Sequence, residues 1–367
     1  MTATEVSFPK LGIHFNVDSV AFKLFGIDVY WYGVIIALGI LLCVTLAMKH
    51  CKENRFSTDL VADTILVALP AAIVGARAYY VICEWDSYKD NLKSIFDTRS
   101  GGLAVYGGII AALLAIFVMC KIRKIPFSAI LDYGIPYLPL GQAIGRWGNF
   151  FNQEAFGTTT TLPWGMTSDK VQTYLRVYCK DLDSTMPVHP TFLYESLVNF
   201  ALFFILLFVR KKSKHNYEAT CVYLVVYGFA RFFIEGLRTD SLYIGNTAIR
   251  TSQLLSFVLM VVGLVYIFYA NVKNVERTYI PEKFLVPKEE DNKNKTVKII
   301  KPSGEVEVIK EETNEETKEE PSDESAENTE PEDEEVHLMG EIMPGDVFEE
   351  PEETEEPSEE KKEETEE

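Results

Sequence analysis

The chain has 367 residues, 47% of them hydrophobic, and a formal net charge of −19. Its length would suit two or three soluble domains, but the apolar residues gather in blocks of about 20, the length that crosses a bilayer. The charge is uneven, with 26 basic and 21 acidic residues in 1–287 against 9 basic and 33 acidic residues in 288–367. These features exclude an ordinary soluble protein. They predict a membrane domain (residues 1–287) followed by an acidic tail (residues 288–367).

Seven apolar segments are predicted to span the membrane as helices, which makes the chain an all-α polytopic membrane protein. Residues 1–29 are mixed in character and are expected at the membrane surface. The predicted spans are Tyr30 to Met48, Leu60 to Cys83, Leu103 to Cys120, Ser128 to Gly145, Thr191 to Val209, Ala219 to Gly236 and Ser252 to Ala270. The fourth contains Asp132, Pro136 and Pro139, and a span tolerates proline where neighbouring helices satisfy the freed backbone groups.

Clusters of lysine and arginine set the predicted orientation. They follow the first, third, fifth and seventh spans. Under the positive-inside rule these loops are cytoplasmic, which places the amino terminus outside and the carboxyl terminus inside. A polar segment at about residues 146–190 then forms a small extracytoplasmic cap.

The acidic tail is rich in Glu, Lys, Thr and Pro and almost free of aromatic residues. Such a composition buries too little apolar surface to fold, so we expect a disordered cytoplasmic extension. The six cysteines form no CxxC pair and no cluster with histidine, and they are interpreted as small buried apolar residues. No metal site is predicted.

A concentration of polar and glycine residues directly follows the fourth span. It reads Gly145-Arg146-Trp-Gly-Asn149-Phe-Phe-Asn152-Gln-Glu154-Ala-Phe-Gly157. A centred arginine costs roughly 2.5–3.5 kcal/mol on insertion scales, so such groups normally face a protein interior or a wet cavity. The alternative is structural, with a snorkelling arginine and two asparagines that cap a helix end. The number of polar residues favours a functional site.

Three further polar groups share the outer half of the predicted bundle. They are Tyr106-Gly107-Gly108, the segment from His189 to Glu195, and the segment from Tyr227 to Arg238. Arg231 and Glu235 lie four residues apart and can pair on one helical face, either as part of a site or only to fix packing.

Two arginines from different spans suit one phosphate, because guanidinium is a planar fork that stays charged when desolvated. The chain has no GxxxxGK[ST] loop of the nucleotide-binding type. A phospholipid headgroup is therefore the natural source of the phosphate, and no nucleic-acid partner is expected.

The segment from Gly145 to Gly157 resembles the signature of bacterial prolipoprotein diacylglyceryl transferases. The resemblance covers most of residues 20–270. It includes Trp31-Tyr32-Gly33, Gly75-Ala76-Arg77, Gly101-Gly102-Leu103, Tyr106-Gly107-Gly108, His189-Pro190, Leu193-Tyr194-Glu195 and Tyr227-Gly228 with Arg231 and Glu235, in the order of the family. The acidic tail lies outside it.

The resemblance implies a multi-pass enzyme of the bacterial cell membrane, with its active site towards the outer side. It would transfer the diacylglyceryl group of phosphatidylglycerol to the lipobox cysteine of preprolipoproteins and release glycerol phosphate. By resemblance, Arg146 binds the headgroup and Arg231 is the second essential arginine. The positions that shape or line the site are Tyr32, Asn149, Glu154, Gly157, Tyr227 and Glu235. No cofactor is implied, and we expect one chain, acting as a monomer, to hold the whole site.

The general base is not assigned. Many members of the family carry histidine where this chain has Tyr106, and a tyrosine of reference pKa about 10 is a poor base but can donate a hydrogen bond to phosphate. His189 is a candidate for an imidazole base. Glu154 or Glu235 could serve instead, or the reaction could need no dedicated base.

Two rival functions use the same residues. A transporter or channel could move an anion past the buried charges, but transporters often show internal repeats and the two halves of this chain show no convincing one. A lipid-binding scaffold without catalysis is the third hypothesis, and the family signature favours the transferase over both.

Overall fold

The computed structural model describes residues 4–97, 101–244, 247–278, 280–285, 296–300 and 306–310. The strands are β1 (Thr4–Phe8), β2 (Ile13–Val17), β3 (Val20–Leu24), β4 (Ile27–Tyr30), β5 (Thr167–Ser168), β6 (Thr296–Ile300) and β7 (Val306–Lys310). The helices are α1 (Trp31–Cys51), α2 (Thr58–Cys83), α3 (Trp85–Tyr88), α4 (Val105–Arg123), α5 (Phe127–Gly134), α6 (Tyr137–Asn152), α7 (Asp169–Tyr178), α8 (Thr191–Lys212), α9 (Glu218–Leu237) and α10 (Thr251–Lys273).

Six helices among the described residues are long and apolar enough to cross a membrane: α1, α2, α4, α8, α9 and α10. Their outward faces expose large apolar side chains such as Leu41, Leu66 and Val265, as expected of helices that contact lipid. The all-α, multi-pass membrane architecture predicted from the sequence is thereby confirmed.

The fourth predicted span is two helices rather than one. α5 ends at Gly134, and α6 begins at Tyr137, directly after Pro136. A proline inside a helix removes a backbone donor and clashes with the preceding turn, which accounts for the break. The Asp132 carboxylate accepts hydrogen bonds from the backbone N and Oγ1 of Thr220 at 3.0 and 2.8 Å, so this buried acid caps the first turn of α9.

The helices pack in a chain of neighbours that positions the site. α6 lies between α1 and α8, α8 also packs on α9, and α9 packs on α10. α2 and α4 form a separate close pair, in which a Cβ on Gly107 would lie 2.4 Å from the carbonyl oxygen of Gly75. Glycine at this crossing lets the two backbones touch, as small residues do between membrane helices.

The cap differs from the predicted segment 146–190 in two ways. Its non-helical part starts later, and it also includes the strands of the amino terminus. α6 continues to Asn152, so the non-helical part begins there rather than at Arg146. β1 from the amino terminus pairs with both β2 and β5, and the three-stranded sheet packs with α7 around a buried core of Val6, Met166, Val171, Leu175 and Val188. β3 and β4 form a second hairpin that leads into α1.

The predicted disorder of the acidic tail falls mostly on residues outside the described ranges. β6 and β7 are described and pair as an antiparallel hairpin. Their sequences are Thr-Val-Lys-Ile-Ile and Val-Glu-Val-Ile-Lys, and both are rich in β-branched residues, which favour strands. The prediction missed them because it used the composition averaged over residues 288–367.

Candidate functional site

The carboxylate of Glu195 joins three helices. It stands in the first turns of α8, its side chain is 3% exposed, and it accepts hydrogen bonds on both oxygens. Arg146 Nη2 of α6 donates to Oε1 at 2.7 Å, and Arg231 Nη1 of α9 donates to Oε2 at 2.7 Å. Two guanidinium groups from different helices are thus held on opposite oxygens of one carboxylate, within reach of a single small anion.

α9 contributes a second acid to this cluster. Glu235, one turn after Arg231, has a side chain that is 2% exposed and accepts a hydrogen bond from Arg231 Nη2. The predicted i, i+4 pair is therefore present. Arg250, just before α10, donates to the backbone oxygen of Glu235 and joins the ends of α9 and α10. The paired charges satisfy each other at a depth where single charges would be costly.

Both arginines retain hydrogen-bonding capacity. A guanidinium has five N–H donors. In the described part of the chain, Arg146 uses Nη1 to Asn149 and Nη2 to Glu195, and Arg231 uses Nη1 and Nη2 on the two glutamates. The side chains of Arg146 and Arg231 are 23% and 12% exposed. The remaining donors suit an anion that enters beside Glu195.

A sharp turn after α6 brings Glu154 back towards the helix. Gln153 and Ala155 both adopt left-handed backbone angles, with φ of 51° and 57°. Glu154 Oε1 accepts hydrogen bonds from Asn149 Nδ2 at 2.9 Å and from Asn152 Nδ2 at 3.2 Å. Since Asn149 Oδ1 accepts from Arg146 at 3.1 Å, the polar signature forms one connected network around that arginine.

Two tyrosines border this network. Tyr227 donates its hydroxyl to Glu195 Oε1 at 3.2 Å, and its ring stacks on Tyr223 with centroids 5.2 Å apart. Tyr32 packs its ring against Gly148, where a Cβ would lie 2.6 Å from the ring, so α1 presents this tyrosine directly over the signature segment of α6. The structure therefore places Tyr227 in the cluster and Tyr32 beside it.

Gly157 lies where three segments cross. A Cβ at this position would lie 2.7 Å from His189 Cβ and 3.1 Å from the carbonyl oxygen of Leu237. Its backbone N donates to the oxygen of His189 at 2.9 Å, and the following residue donates to Leu237. Gly157 therefore ties the cap to α8 and α9 through its backbone and has no side chain to offer a ligand.

His189 and Tyr106 are not among the contacts of the charged cluster. His189 Nδ1 lies 3.1 Å from the hydroxyl of Tyr194, and burial lowers the pKa of the His189 imidazole below its usual value, so the ring is neutral at neutral pH. Tyr106 is 44% exposed at the start of α4, and within the described ranges its hydroxyl makes no hydrogen bond. Their roles in proton transfer and in binding of phosphate therefore stay predictions.

Glu195 joins the cluster although the sequence analysis gave it no role. The signal was present, because an acid inside an apolar run is expensive in a membrane and normally marks a site. Its partners could not be derived from spacing, since Arg146 and Arg231 lie 49 and 36 residues away in sequence.

The described residues contain no group of three or more His, Cys, Asp or Glu side chains that could hold a metal ion. All six cysteines are free, and three of them, Cys51, Cys120 and Cys221, are buried. The described hydrogen bonds of the cluster join arginines, carboxylates, an asparagine and a tyrosine hydroxyl.

Comparison with known proteins gives a consistent result. The family model "Prolipoprotein diacylglyceryl transferase" matches residues 19–269. A phosphatidylglycerol–prolipoprotein diacylglyceryl transferase of Finegoldia magna is 50% identical over 250 residues, 68% of this chain and 94% of the relative. Proteins of the same name from Clostridioides difficile and Clostridium botulinum are 42% and 41% identical over 258 and 268 residues, 70% and 72% of this chain and 97% and 100% of each relative.

Proposed function

Since the chain belongs to the prolipoprotein diacylglyceryl transferase family, we infer that it transfers the diacylglyceryl group of phosphatidylglycerol to prolipoproteins, the first step of bacterial lipoprotein maturation. Its matched region contains all six long apolar helices except the last four residues of α10. We further propose that the cluster around Glu195 is where the transfer takes place.

The observation that carries this proposal is the pair of arginines on one carboxylate, 2.7 Å from its two oxygens. Glu195 holds Arg146 and Arg231 at a fixed separation, and their free N–H donors grip the phosphate of phosphatidylglycerol. Asn149 and Glu154 orient Arg146, while Glu235 orients Arg231. Tyr227 fixes the carboxylate from the α9 side.

The reaction is an alkyl transfer. The cysteine sulfur of the lipobox attacks the terminal glycerol carbon of the diacylglyceryl group, an S–C bond forms, and the C–O bond to phosphate breaks. The electron pair of that bond leaves with glycerol phosphate, and the thiol proton is lost.

The phosphate goes from one negative charge towards two as it leaves. Arginines placed on it therefore stabilise the transition state more than the ground state, which is the condition for a higher rate. The same positive charges favour the thiolate over a thiol of reference pKa about 8.5.

No histidine of the described residues makes a hydrogen bond to the cluster, whose acids are Glu154, Glu195 and Glu235. We propose that thiolate formation depends mainly on the arginine field rather than on an imidazole base. His189 then supports the cap, where its Cβ lies against Gly157 and its Nδ1 lies 3.1 Å from the hydroxyl of Tyr194. Tyr106, at the exposed start of α4, would contact the substrate.

The positive-inside distribution supports an active site that opens towards the outer side of the cytoplasmic membrane, where exported prolipoproteins present their lipobox cysteine. Glu195 and Glu235 lie at the helix ends opposite the basic clusters of α1, α4 and α8. We propose that the protein acts as a monomer, because Arg146, Arg231 and Glu195 meet within a single chain.

The proposed function is tested by transfer with purified full-length protein, phosphatidylglycerol and a lipobox peptide. We expect the wild type to form the thioether and to release glycerol phosphate. A peptide whose cysteine is replaced by serine should give no product. Arg146→Lys keeps the charge but loses the planar fork, and we expect kcat/KM to fall about 10²-fold or more.

The matched control is Arg176→Lys on the exposed face of α7, which should retain wild-type activity. Folded wild-type protein that releases no glycerol phosphate would contradict the transferase assignment. Full activity in Arg146→Lys would leave the reaction standing and remove the phosphate role of Arg146.

A further inference from the structure

A second charged cavity lies at the opposite end of the helices. It has a volume of about 390 Å³ and is bordered by the loop after α1, by α5, by the last turn of α8 and by Arg277, Thr278, Ile280 and Leu285. Arg210 borders it and lies fifteen residues after Glu195 on α8, about 22 Å along the helix at 1.5 Å per residue. This basic cavity is therefore separate from the proposed transfer site.

Arg210 is a buried cation that has no acidic partner among the described residues. It is 4% exposed, and Nη1 donates to the Tyr133 carbonyl at 2.9 Å and to the Tyr137 hydroxyl at 3.2 Å. Its Nε is buried without an acceptor. Its described hydrogen-bond acceptors are thus neutral oxygens. The rings of Tyr133 and Tyr137 lie 5.1 and 5.6 Å from its guanidinium carbon. A buried charge without an opposite charge is normally strongly unfavourable, so an anion is expected nearby.

The other charged side chains around the basic cavity have the same sign, with one exception. Arg55, Lys211 and Arg277 border it together with Arg210, against the single acid Glu53. Arg55 is presented by a left-handed turn, φ 62°, directly after α1. The lining thus has a formal charge of three positive units, which favours an anion.

The wall of the basic cavity is fixed by contacts between distant parts of the chain. Phe56 forms an antiparallel bridge with Leu285, and its ring lies 4.4 Å from that of Tyr133. Ser57 donates its backbone N to the oxygen of Phe284 at 2.9 Å. The cavity is therefore built by packing of the loop after α1 on residues 280–285.

An apolar cleft of about 180 Å³ adjoins the basic cavity and shares Tyr133 with it. It runs between α1, α2 and α5 and is lined by residues such as Ala47, Val61 and Ile130. A phosphate site beside a narrow apolar cleft matches the two parts of a phospholipid, a charged headgroup and an acyl chain.

We propose that the basic cavity and the adjoining cleft bind an anionic phospholipid of the leaflet opposite the transfer site. The phosphate contacts Arg210, Lys211 and Arg277, and one acyl chain lies in the cleft between α1 and α2. The bound lipid supplies the negative charge that Arg210 lacks and contacts α5, which precedes the helix of Arg146, and α8, which bears Glu195 at its other end. This site is independent of the transfer reaction.

The test uses delipidated full-length protein in detergent and native mass spectrometry with phosphatidic acid as the probe. The double variant Lys211→Gln/Arg277→Gln removes two charges of the lining and leaves buried Arg210 in place. Because two basic residues near a charged lipid surface are lost, we expect phosphatidic acid to bind this variant about thirtyfold more weakly, which corresponds to about 2 kcal/mol. The matched control is Lys212→Gln/Lys273→Gln, which removes two charges of neighbouring positions outside the lining and should bind as the wild type does.

Phosphatidylcholine, whose headgroup is neutral overall, and inorganic phosphate serve as separate probes. The proposal predicts weaker binding of both than of phosphatidic acid by the wild type. Equal affinity of the two double variants for phosphatidic acid would overturn it. If inorganic phosphate bound more tightly than phosphatidic acid, the occupant of the basic cavity would be a free anion and the lipid proposal would be overturned. Failure of the wild type to bind phosphatidic acid would also overturn it.

Discussion

At the scale of single residues, Glu195 determines the geometry of the charged cluster. Burial makes a carboxylate costly unless it is paired, and here both oxygens accept from arginine. The carboxylate thus sets where the two guanidinium groups stand, and a change of its charge should act on the reaction through them. In the proposed function Glu195 is therefore a positioning residue, and the arginines are proposed to contact the substrate.

Glu195→Gln tests this role. The amide keeps the volume but accepts through only one oxygen and turns two N–H donors towards a guanidinium. Since misplacement of a catalytic group by about 1 Å can cost 10²-fold, we expect kcat with phosphatidylglycerol to fall by about that factor while the protein stays folded. Glu84→Gln, at an exposed position after α2, is the control. Wild-type kcat in Glu195→Gln would show that the arginines do not depend on this carboxylate.

Gly157→Ala tests the crossing of the cap with α8 and α9. The added Cβ would meet His189 at 2.7 Å, a distance that forces one segment to move. Overpacking of this kind costs about 1–3 kcal/mol, so a melting temperature several degrees lower is expected. Gly33→Ala in α1, where a Cβ meets nothing within 4 Å, should melt as the wild type does. Equal melting of both variants would refute the close crossing.

At the scale of elements, the α2–α4 pair positions the loop between them through Arg77. This arginine is 8% exposed and donates to five backbone carbonyls, among them Ile95 and Asp97, both at 2.7 Å. A single side chain thus holds both ends of the segment from Ser94 to Gly102.

Arg77→Met should loosen this segment without unfolding the helices. We expect faster hydrogen exchange of the backbone amides of residues 92–97, because the variant removes the side chain that fixes their carbonyls. Arg123→Met is the control, since Arg123 pairs with Asp63 at the other end of the same helix pair. Unchanged exchange in Arg77→Met would mean that the loop is held by other contacts.

Elements differ in how well the sequence predicts them. The six long helices follow from apolar runs, and α1 and α8 begin at or within one residue of the predicted start. The amino-terminal strands were not predicted, because β1 and β2 are short and mixed in composition and because β1 is stabilised by pairing with β5, some 160 residues away. The break between α5 and α6 was signalled by Pro136, but a proline alone does not distinguish a kink from two helices.

At the scale of the whole molecule, the charged clusters occupy opposite ends of α8. Glu195 meets two arginines at one end, and Arg210 stands without a described acidic partner at the other. The sequence showed which residues were unusual for a membrane helix. It could not show which of them meet, because contacts between helices depend on packing that no local pattern contains. Arg146 and Arg231 were predicted to share a phosphate, and that role stays a prediction, although their common carboxylate supports it.

The central claim is that Arg146 and Arg231 act together on one phosphate, and a double-mutant cycle tests it most directly. The measurement is kcat/KM for phosphatidylglycerol in the wild type, Arg146→Lys, Arg231→Lys and the double variant, with a saturating lipobox peptide. If both arginines grip the same phosphate, each single variant should lose about 10²- to 10³-fold, and the double variant should lose much less than the product of the two, a coupling of about 1 kcal/mol or more. Losses that multiply, or a single variant with wild-type kcat/KM, would contradict a shared phosphate.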